Sequence, residues 1–477
     1  MRVRFAPDAR ATLNIMGVRI ALINWLLARK LQGSFVLRIE DRDPSREARV
    51  DRLLSDLEWL GLDWDEGPKV GGDFGPYYQS ERLDIYADYM ERLRKMGHVY
   101  PCYCTPEELA AKSREAREKG QAPLYDGRCR NLSAEKQKEL EAKGTRCALR
   151  LRVPSEGTTK IKDVIRGSVE VENRHLDDYM VRRRDGVYTY NYCCVIDDHL
   201  MKIDRVVRGE EHLVNTPRQL WLYDALGIEP PEFLHLGKLV GPSGAKLRTA
   251  HPSTSVEDLR RRGVVPEVLL KYMASLDGMH ISTREPRKEM IGVFSPRSLS
   301  PEPITYRRRV LYKENAHYLR SLPTSWLARL AEPYMEVAGI WPHPERDERW
   351  LRDAVDLVRD ETVLLFDIPH HLSPLLQGHP RVESGQVNQM LNASTAVPVL
   401  QAWVEELSNV GSVERLNLIP LATRIRKELG VSARDVFMPL RVALTGRLFG
   451  PQIERIISLL GREEVIERLL RAYRQMT

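Results

Sequence analysis

Four groups of residues in this chain have side chains and spacing suited to chemistry. Glu40-Asp41 are two carboxylates at the end of the apolar run Ser34-Phe35-Val36-Leu37-Arg38-Ile39. Asp197-Asp198-His199 has the composition of a metal cluster, and equally of a strand end whose acids cap the next helix, which is the reading adopted. Six cysteines, at 102, 104, 129, 147, 193 and 194, are too sparse and uneven for the disulfide framework of a secreted protein. A reducing cytoplasm is the expected compartment. Arg260-Arg261-Arg262 and Arg307-Arg308-Arg309 are cationic runs, either solvated faces or phosphate contacts.

The elements that hold these groups are readable from periodicity. Val3 and Phe5 alternate with Arg2 and Arg4 as in a strand, a loop runs from Ala6, and Val18, Ala21, Leu22, Trp25, Leu26 and Leu27 recur at helical spacing up to Gly33. The run from Ser34 then reads as a buried strand. Strand, helix and strand within about 40 residues make a parallel crossover unit, and such sheets bind ligands beyond the carboxyl ends of their strands. The loop 6–17 and Glu40-Asp41 are thereby placed on the binding side.

Further helices are announced by caps: Ser80 before Glu81-Arg82-Leu83, Thr105-Pro106-Glu107-Glu108, Thr216-Pro217, and Ser255-Val256-Glu257-Asp258. Residues 102 to about 185 interrupt the pattern with a charged helix, Glu107 to Lys119, and short strands such as Cys147 to Val153, and read as an insertion. The sheet is expected to resume at Tyr188-Thr189-Tyr190 and Asp204 to Gly209. Beyond about 320 the pattern is helical, without a visible repeat.

The chain has 477 residues, 42% hydrophobic and 29% charged, which suits three or four folded domains at roughly 100–200 residues each and excludes a disordered chain. Lys and Arg number 73 against 67 acids, leaving a charge of +6 that permits a polyanionic partner. The opening MRVRFAP has no apolar core of a signal peptide, and the most apolar stretch, Val18 to Ala28, is too short to cross a bilayer.

Six blocks in order carry a resemblance: Arg2-Val3-Arg4-Phe5-Ala6-Pro7, Leu37-Arg38-Ile39-Glu40-Asp41, Gly75 to Leu83, Tyr125-Asp126-Gly127-Arg128-Cys129-Arg130, Val207 to Pro217, and Pro439 to Gly446. Over its whole length the chain resembles the bacterial glutamyl-tRNA synthetases, which are class I aminoacyl-tRNA synthetases. The resemblance implies an α/β Rossmann-type catalytic core in two halves (1–101 and 187–250) around an acceptor-stem-binding α+β insertion (102–186). A stem-contact region (251–320) and an all-α anticodon-binding domain (321–477) follow. It implies ATP- and Mg2+-dependent activation of glutamate, transfer to the 3′ end of tRNA, and a monomer.

Residue by residue, the resemblance assigns Arg4, Ala6, Asp8, Glu40, Tyr190, Cys194 and Arg208 to an amino-acid pocket, and Asn14, Met16, Gly17, Glu211, His212, Lys246 and Thr249 to ATP. Asn14, Gly17, Lys246 and Arg248 take catalytic positions. Cys102, Cys104 and Cys129, with Tyr125 as fourth ligand, match a structural zinc site, because Asn131 stands where the family's usual histidine ligand would be. Cys147, Cys193 and Cys194 are expected in the core. Arg441, Thr445 and Gly446 match the anticodon-proximal stretch, with a packed helix end as the alternative.

Three motifs depart from the family. Asn14-Ile15-Met16-Gly17 replaces a His-Ile-Gly-His type signature, so the charge of the imidazole is lost and Met16 stands where the backbone is normally open. Lys246-Leu247-Arg248-Thr249-Ala250 replaces Lys-Leu-Ser-Lys-Arg. Asp8 replaces a small hydroxyl residue, setting a carboxylate against an acidic substrate. The departures imply weak, altered or absent glutamate activation. They leave open a repurposed tRNA-binding scaffold or a ligase for another amino acid.

Overall fold

The computed structural model describes every residue except 11, 42–46, 248–253, 283–285, 345, 377–393, 415 and 477. The chain divides into two compact units, Met1–Leu259 with Pro266–Arg308, and Arg260–Val265 with Arg309–Thr477.

The first unit is built on a six-stranded sheet. Its strands are β1 (Arg2–Phe5), β2 (Ser34–Leu37), β5 (Thr158–Asp163), β6 (Gly167–Glu172), β8 (Arg205–Gly209) and β9 (Glu232–Leu236), in the order β2-β1-β8-β9-β5-β6. All neighbours run parallel except the last pair, a hairpin. The crossover between β1 and β2 is the helix Ile15–Lys30, which buries Val18, Leu22, Leu26 and Leu27 as the apolar spacing indicates but begins at Ile15, inside the stretch read as a loop, because Asn14 caps it. A separate antiparallel sheet is made of β3 (Val99–Cys102), β4 (Ala148–Leu151) and β7 (Met180–Arg182) in the order β3-β4-β7.

The stretch read as an insertion therefore divides between two sheets. β4 and β7 join β3, whereas β5 and β6 extend the main sheet beside β9. Thr158 to Asp163 shows why: its residues alternate exposed and buried, so one face packs inward and the strand must lie on a core. The helix Pro106–Glu118 has the expected capping box, with Thr105 and Glu108 bonding each other's backbone N–H.

Three expectations are corrected. Tyr188-Thr189-Tyr190 is no strand; Tyr188 makes an isolated bridge to Arg182 and the helix Tyr190–Leu200 begins there. Asp197-Asp198-His199 lies inside that helix, with both carboxylates buried against arginines, where no strand end exists to cap. Ser80 caps nothing: its hydroxyl and backbone N–H bond Asp41, at 2.6 and 3.0 Å, and the helix starts at Leu83.

The second unit holds the helices Thr324–Val337, Glu348–Val358, Asp367–Leu376, Ala396–Ser408, Leu418–Leu429, Ala433–Thr445, Ile453–Leu460 and Arg462–Met476. Trp403 is fully buried and donates to the carbonyl of Val436, tying two of these helices. Among the described residues no helix is long and apolar enough to cross a membrane.

One buried ion pair fixes the first helix. Arg19 and Asp277 have side chains 0% and 1% exposed, lie 2.6 Å apart, and Arg19 also donates to the carbonyl of Gly237. Removing one member strands a buried charge, so Asp277→Leu should lower stability by about 3–5 kcal/mol, while Arg19→Met with Asp277→Leu should cost far less. Urea unfolding of the two variants, compared with the parent, checks the ordering.

Candidate active site

A cavity of about 430 Å³ opens at the carboxyl ends of β1 and β8. Its walls include Arg4, Ala6, Asp8, Arg10, Glu40, Tyr190, Arg208, His212 and Asn215. The family resemblance assigns six of these, Arg4, Ala6, Asp8, Glu40, Tyr190 and Arg208, to an amino-acid pocket and His212 to ATP. The loop after β1 is held in position by backbone bonds to the end of β2: Glu40 N–H donates to Pro7 and Ala9 N–H to Glu40.

The charges lining this cavity differ in how far they are already paired. Arg4 is 3% exposed and donates to both oxygens of Asp198, at 3.0 and 3.4 Å, which raises its pKa despite the cost of burial. Arg208 is 5% exposed, and its bonds go to neutral groups: Nε donates to His235 Nε2 at 3.0 Å and a terminal nitrogen to Thr216 Oγ1 at 2.7 Å. Among the described residues no carboxylate forms an ion pair with Arg208. Its charge is available to a ligand anion. Burial pushes the Glu40 carboxyl up, against the pull of Arg38 at 3.7 Å and of the Cys194 thiol, which donates at 3.4 Å. His212, beside the Tyr190 hydroxyl at 3.2 Å, is pushed down to about 3 by burial and by Arg208 and Arg4, so it is neutral near pH 7.

Asp8 is paired. Arg10 Nε donates to it at 2.9 Å and a terminal nitrogen lies 2.5 Å away, so the repulsion expected against an acidic ligand is offset by a cation two residues on. Arg10 was missed because only its neighbour stood out in the sequence.

The helix N-terminus expected to meet phosphate is already engaged. Asn14 Oδ1 accepts from Met16 N–H and Gly17 N–H, both at 3.0 Å. At Gly17 a Cβ would sit 2.8 Å from Leu13 Cδ1, so a larger residue there would have to displace the end of that side chain. Lys246 is exposed, its backbone bridging Val240, and does not line the cavity; Arg248 and Thr249 lie outside the described residues. Glu211 is also exposed, in the single turn Glu210–His212. Cys194 sits beneath Glu40 and is not part of the wall.

The three-cysteine group is assembled. The Sγ atoms of Cys102, Cys104 and Cys129 all lie within 4.8 Å of one another, and Cys104 and Cys129 are 3.6 Å apart. The Tyr125 hydroxyl is 3.5 Å from Cys102 and 3.8 Å from Cys104, and accepts from Cys129 N–H at 3.0 Å. Thiolates bound tetrahedrally at about 2.3 Å from zinc stand about 3.8 Å apart, so this donor set fits the ion. Bonding from Cys129, against the cost of burial, takes the Cys102 thiol down to about 4, while that same bond pushes the Cys129 thiol up and burial pushes the Cys104 thiol up, so one negative charge is concentrated on Cys102. Asn131 is exposed. Cys193 and Cys194 are buried as expected, Cys147 only half-buried.

In the second unit, Thr445 and Gly446 close the helix Ala433–Thr445. Gly446 adopts φ 68°, the left-handed conformation that favours glycine, and Thr445 bonds the carbonyl of Arg441 at 2.8 Å. Arg441 donates to Pro451. The arginines at 260–262 and 307–309 are all exposed.

Comparison with known proteins matches residues 1–300 to the catalytic domain of the class I tRNA synthetases (E and Q) and residues 326–473 to an anticodon binding domain. A glutamate–tRNA ligase of Moorella thermoacetica is 40% identical over 480 residues, covering 99% of this chain and 98% of that protein. One from Natranaerobius thermophilus is 37% identical, covering 98% and 97%. A solved glutamate–tRNA ligase from Elizabethkingia meningosepticum, in complex with its amino acid, superposes with a TM-score of 0.86 at 28% identity over 100% of both chains. The parallel sheet with its cavity at the strand ends, the assembled cysteines, the helical second unit and these whole-length matches agree, and the chain belongs to the class I tRNA synthetases of the E and Q type, resembling glutamate–tRNA ligases throughout.

Proposed function

We propose that this chain is a glutamate–tRNA ligase that activates glutamate with ATP and passes the glutamyl group to the 3′ end of tRNA. The observation that carries this reading is Arg208, a buried guanidinium with neutral partners, on a cavity also lined by Glu40. A cation and a carboxylate on one cavity are complementary to the carboxylate and ammonium of an amino acid. In the first step an oxygen of the glutamate α-carboxylate attacks the α-phosphorus of ATP and the bond to pyrophosphate breaks. A terminal tRNA hydroxyl then attacks the acyl carbon and AMP leaves.

Within this reading Arg208 binds a substrate carboxylate, Glu40 the ammonium, and Tyr190 with neutral His212 shapes the wall. Arg4, held by Asp198, adds positive potential. Asn14, Met16, Gly17, Glu211, Lys246, Arg248 and Thr249 handle ATP, whose phosphates Mg2+ neutralises when bound. The three cysteines and Tyr125 hold structural zinc in the 102–186 region, which docks the acceptor stem between the core segments 1–101 and 187–250. Residues 251–320 contact the stem, and 321–477 bind the anticodon through Arg441, Thr445 and Gly446. The protein acts as a cytoplasmic monomer.

A second reading, a tRNA-binding paralogue without adenylate chemistry, is favoured by one observation: Asn14 occupies the helix N–H groups that a phosphate would use. A ligase for another amino acid follows instead if the Asp8–Arg10 pair selects the side chain.

Pyrophosphate exchange with each amino acid separates these readings. Glutamate-dependent exchange is expected, and Arg208→Leu should lower kcat/KM for glutamate about 10–100-fold, the worth of charge-assisted bonds. Exchange with a different amino acid, or none alongside salt-dependent tRNA binding, would select one of the other two. Returning a cation at the signature, Asn14→His, should raise exchange about tenfold or more; an unchanged rate would show that phosphate handling is not the limiting defect. One zinc per chain is expected by atomic emission, falling toward zero in Cys104→Ser together with a lower melting temperature.

A further inference from the structure

Beneath Arg208 lies a buried chain of groups that none of the site assignments uses. His235, on β9, and Asp163, at the end of β5, both have side chains 0% exposed. His235 Nδ1 is 2.6 Å from Asp163 Oδ2, and its Nε2 accepts from Arg208 Nε at 3.0 Å. These contacts fix the tautomer, because Nε2 can accept only if the proton sits on Nδ1, where Asp163 receives it.

Asp163 is itself immobilised. Its Oδ1 accepts from Ile165 N–H at 2.9 Å and Arg166 N–H at 2.8 Å, and its Oδ2 from His235 N–H at 3.0 Å. Burial raises its pKa, but the bonds from His235 and the turn outweigh this and hold it below the usual carboxylate range. Burial pushes the His235 imidazole down, keeping it neutral. Thr216 Oγ1 accepts from a terminal guanidinium nitrogen at 2.7 Å, donates to the carbonyl of His212 at 3.2 Å, and stands 3.0 Å from His235 Nε2. The Phe233 ring, stacked on His235, lies 5.2 Å from the guanidinium carbon.

We propose that Asp163 and His235 are positioning residues for ligand recognition: through a carboxylate–imidazole–guanidinium relay they orient Arg208, without neutralising it, toward the carboxylate of the bound amino acid. This rests on the proposed function for the identity of the ligand, and on the geometry alone for the relay. A direct Asp–Arg pair would consume the charge that the ligand needs. An interposed neutral imidazole supplies direction and leaves the charge free. Asp163 belongs to a strand that the sequence assigns to the insertion, so that segment helps to build the amino-acid pocket.

The test uses the full-length protein with arginine 15N-labelled, the Arg208 Nε–H resonance being assigned by its loss in Arg208→Lys. In the parent this proton should exchange slowly with solvent. His235→Leu, which removes the acceptor, should abolish that protection, and His235→Gln, whose amide oxygen reaches the same place, should restore it. In pyrophosphate exchange His235→Leu should raise the KM for the amino acid about 10–100-fold with the KM for ATP within about twofold, and His235→Gln should recover most of the loss. Thr216→Val, which removes one neutral acceptor, provides a milder version if His235→Leu does not fold: its amino-acid KM should also rise selectively. Unchanged Arg208 protection in His235→Leu, or an equal rise of both KM values in every variant, overturns the relay. Parent protein without glutamate-dependent exchange would sink the glutamate reading while the resonance still decides the relay.

Discussion

Asp197 and Asp198, side by side on the helix Tyr190–Leu200, hold arginines from β1, from just beyond the edge strand β2, and from the start of the helix Leu83–Lys95. Asp198 takes Arg4 from β1 and, at 2.6 Å, Arg38 from the residue after β2; Asp197 takes Arg82 at 2.7 Å and accepts from Tyr86 and Gln79. Opposite charges buried this deeply are tolerated only when each is met by several partners, and breaking one pair exposes the rest to an uncompensated charge. The consequence is rigid spacing between β1, β2 and the helix. Phe5, Glu40 and Tyr190, and hence the cavity, follow from it.

The two ends of the site show different degrees of preparation. On the cavity wall the guanidinium of Arg208 is oriented and buried, with no carboxylate pairing it among the described residues, and neutral His212 adds no competing charge. At the N-terminus of the first helix, Asn14 satisfies the leading N–H groups of Met16 and Gly17. A capping side chain stabilises a helix by about 1 kcal/mol, so a phosphate arriving there must displace a favourable bond.

Local signals were readable where neighbours in sequence are neighbours in space. The helix Ile15–Lys30 follows, from Val18 onward, from its apolar spacing, the Thr105 capping box from four consecutive residues, and Glu40 on the binding side from a strand that must end there. What escaped depends on partners that the sequence does not announce, from 2 to 194 residues away. Asp197 and Asp198 look like a polar strand end until Arg82, Arg38 and Arg4 arrive from elsewhere to make their burial tolerable. Ser80 looks like a cap until Asp41 claims its hydroxyl. His235 had a faint signature, a lone histidine in the apolar run Phe233-Leu234-His235-Leu236, yet its role needed Asp163 from another strand. Arg10 was visible, but nothing in the chain marked it as the partner of Asp8.

The pairing of β5 with β9 bears on modularity. Excising the whole 102–186 stretch to transplant it between proteins would strip two strands from the main sheet. It would also bare the edge of β9, whose open backbone groups then invite pairing with another molecule. A graft that respects the sheets must leave 158–172 behind, and must carry β3 along with β4 and β7, since β4 pairs with β3 from Val99 to Cys102. The 102–186 stretch thus holds strands of two different sheets, 158–172 built into the main sheet beside β9 and β4 with β7 paired to β3.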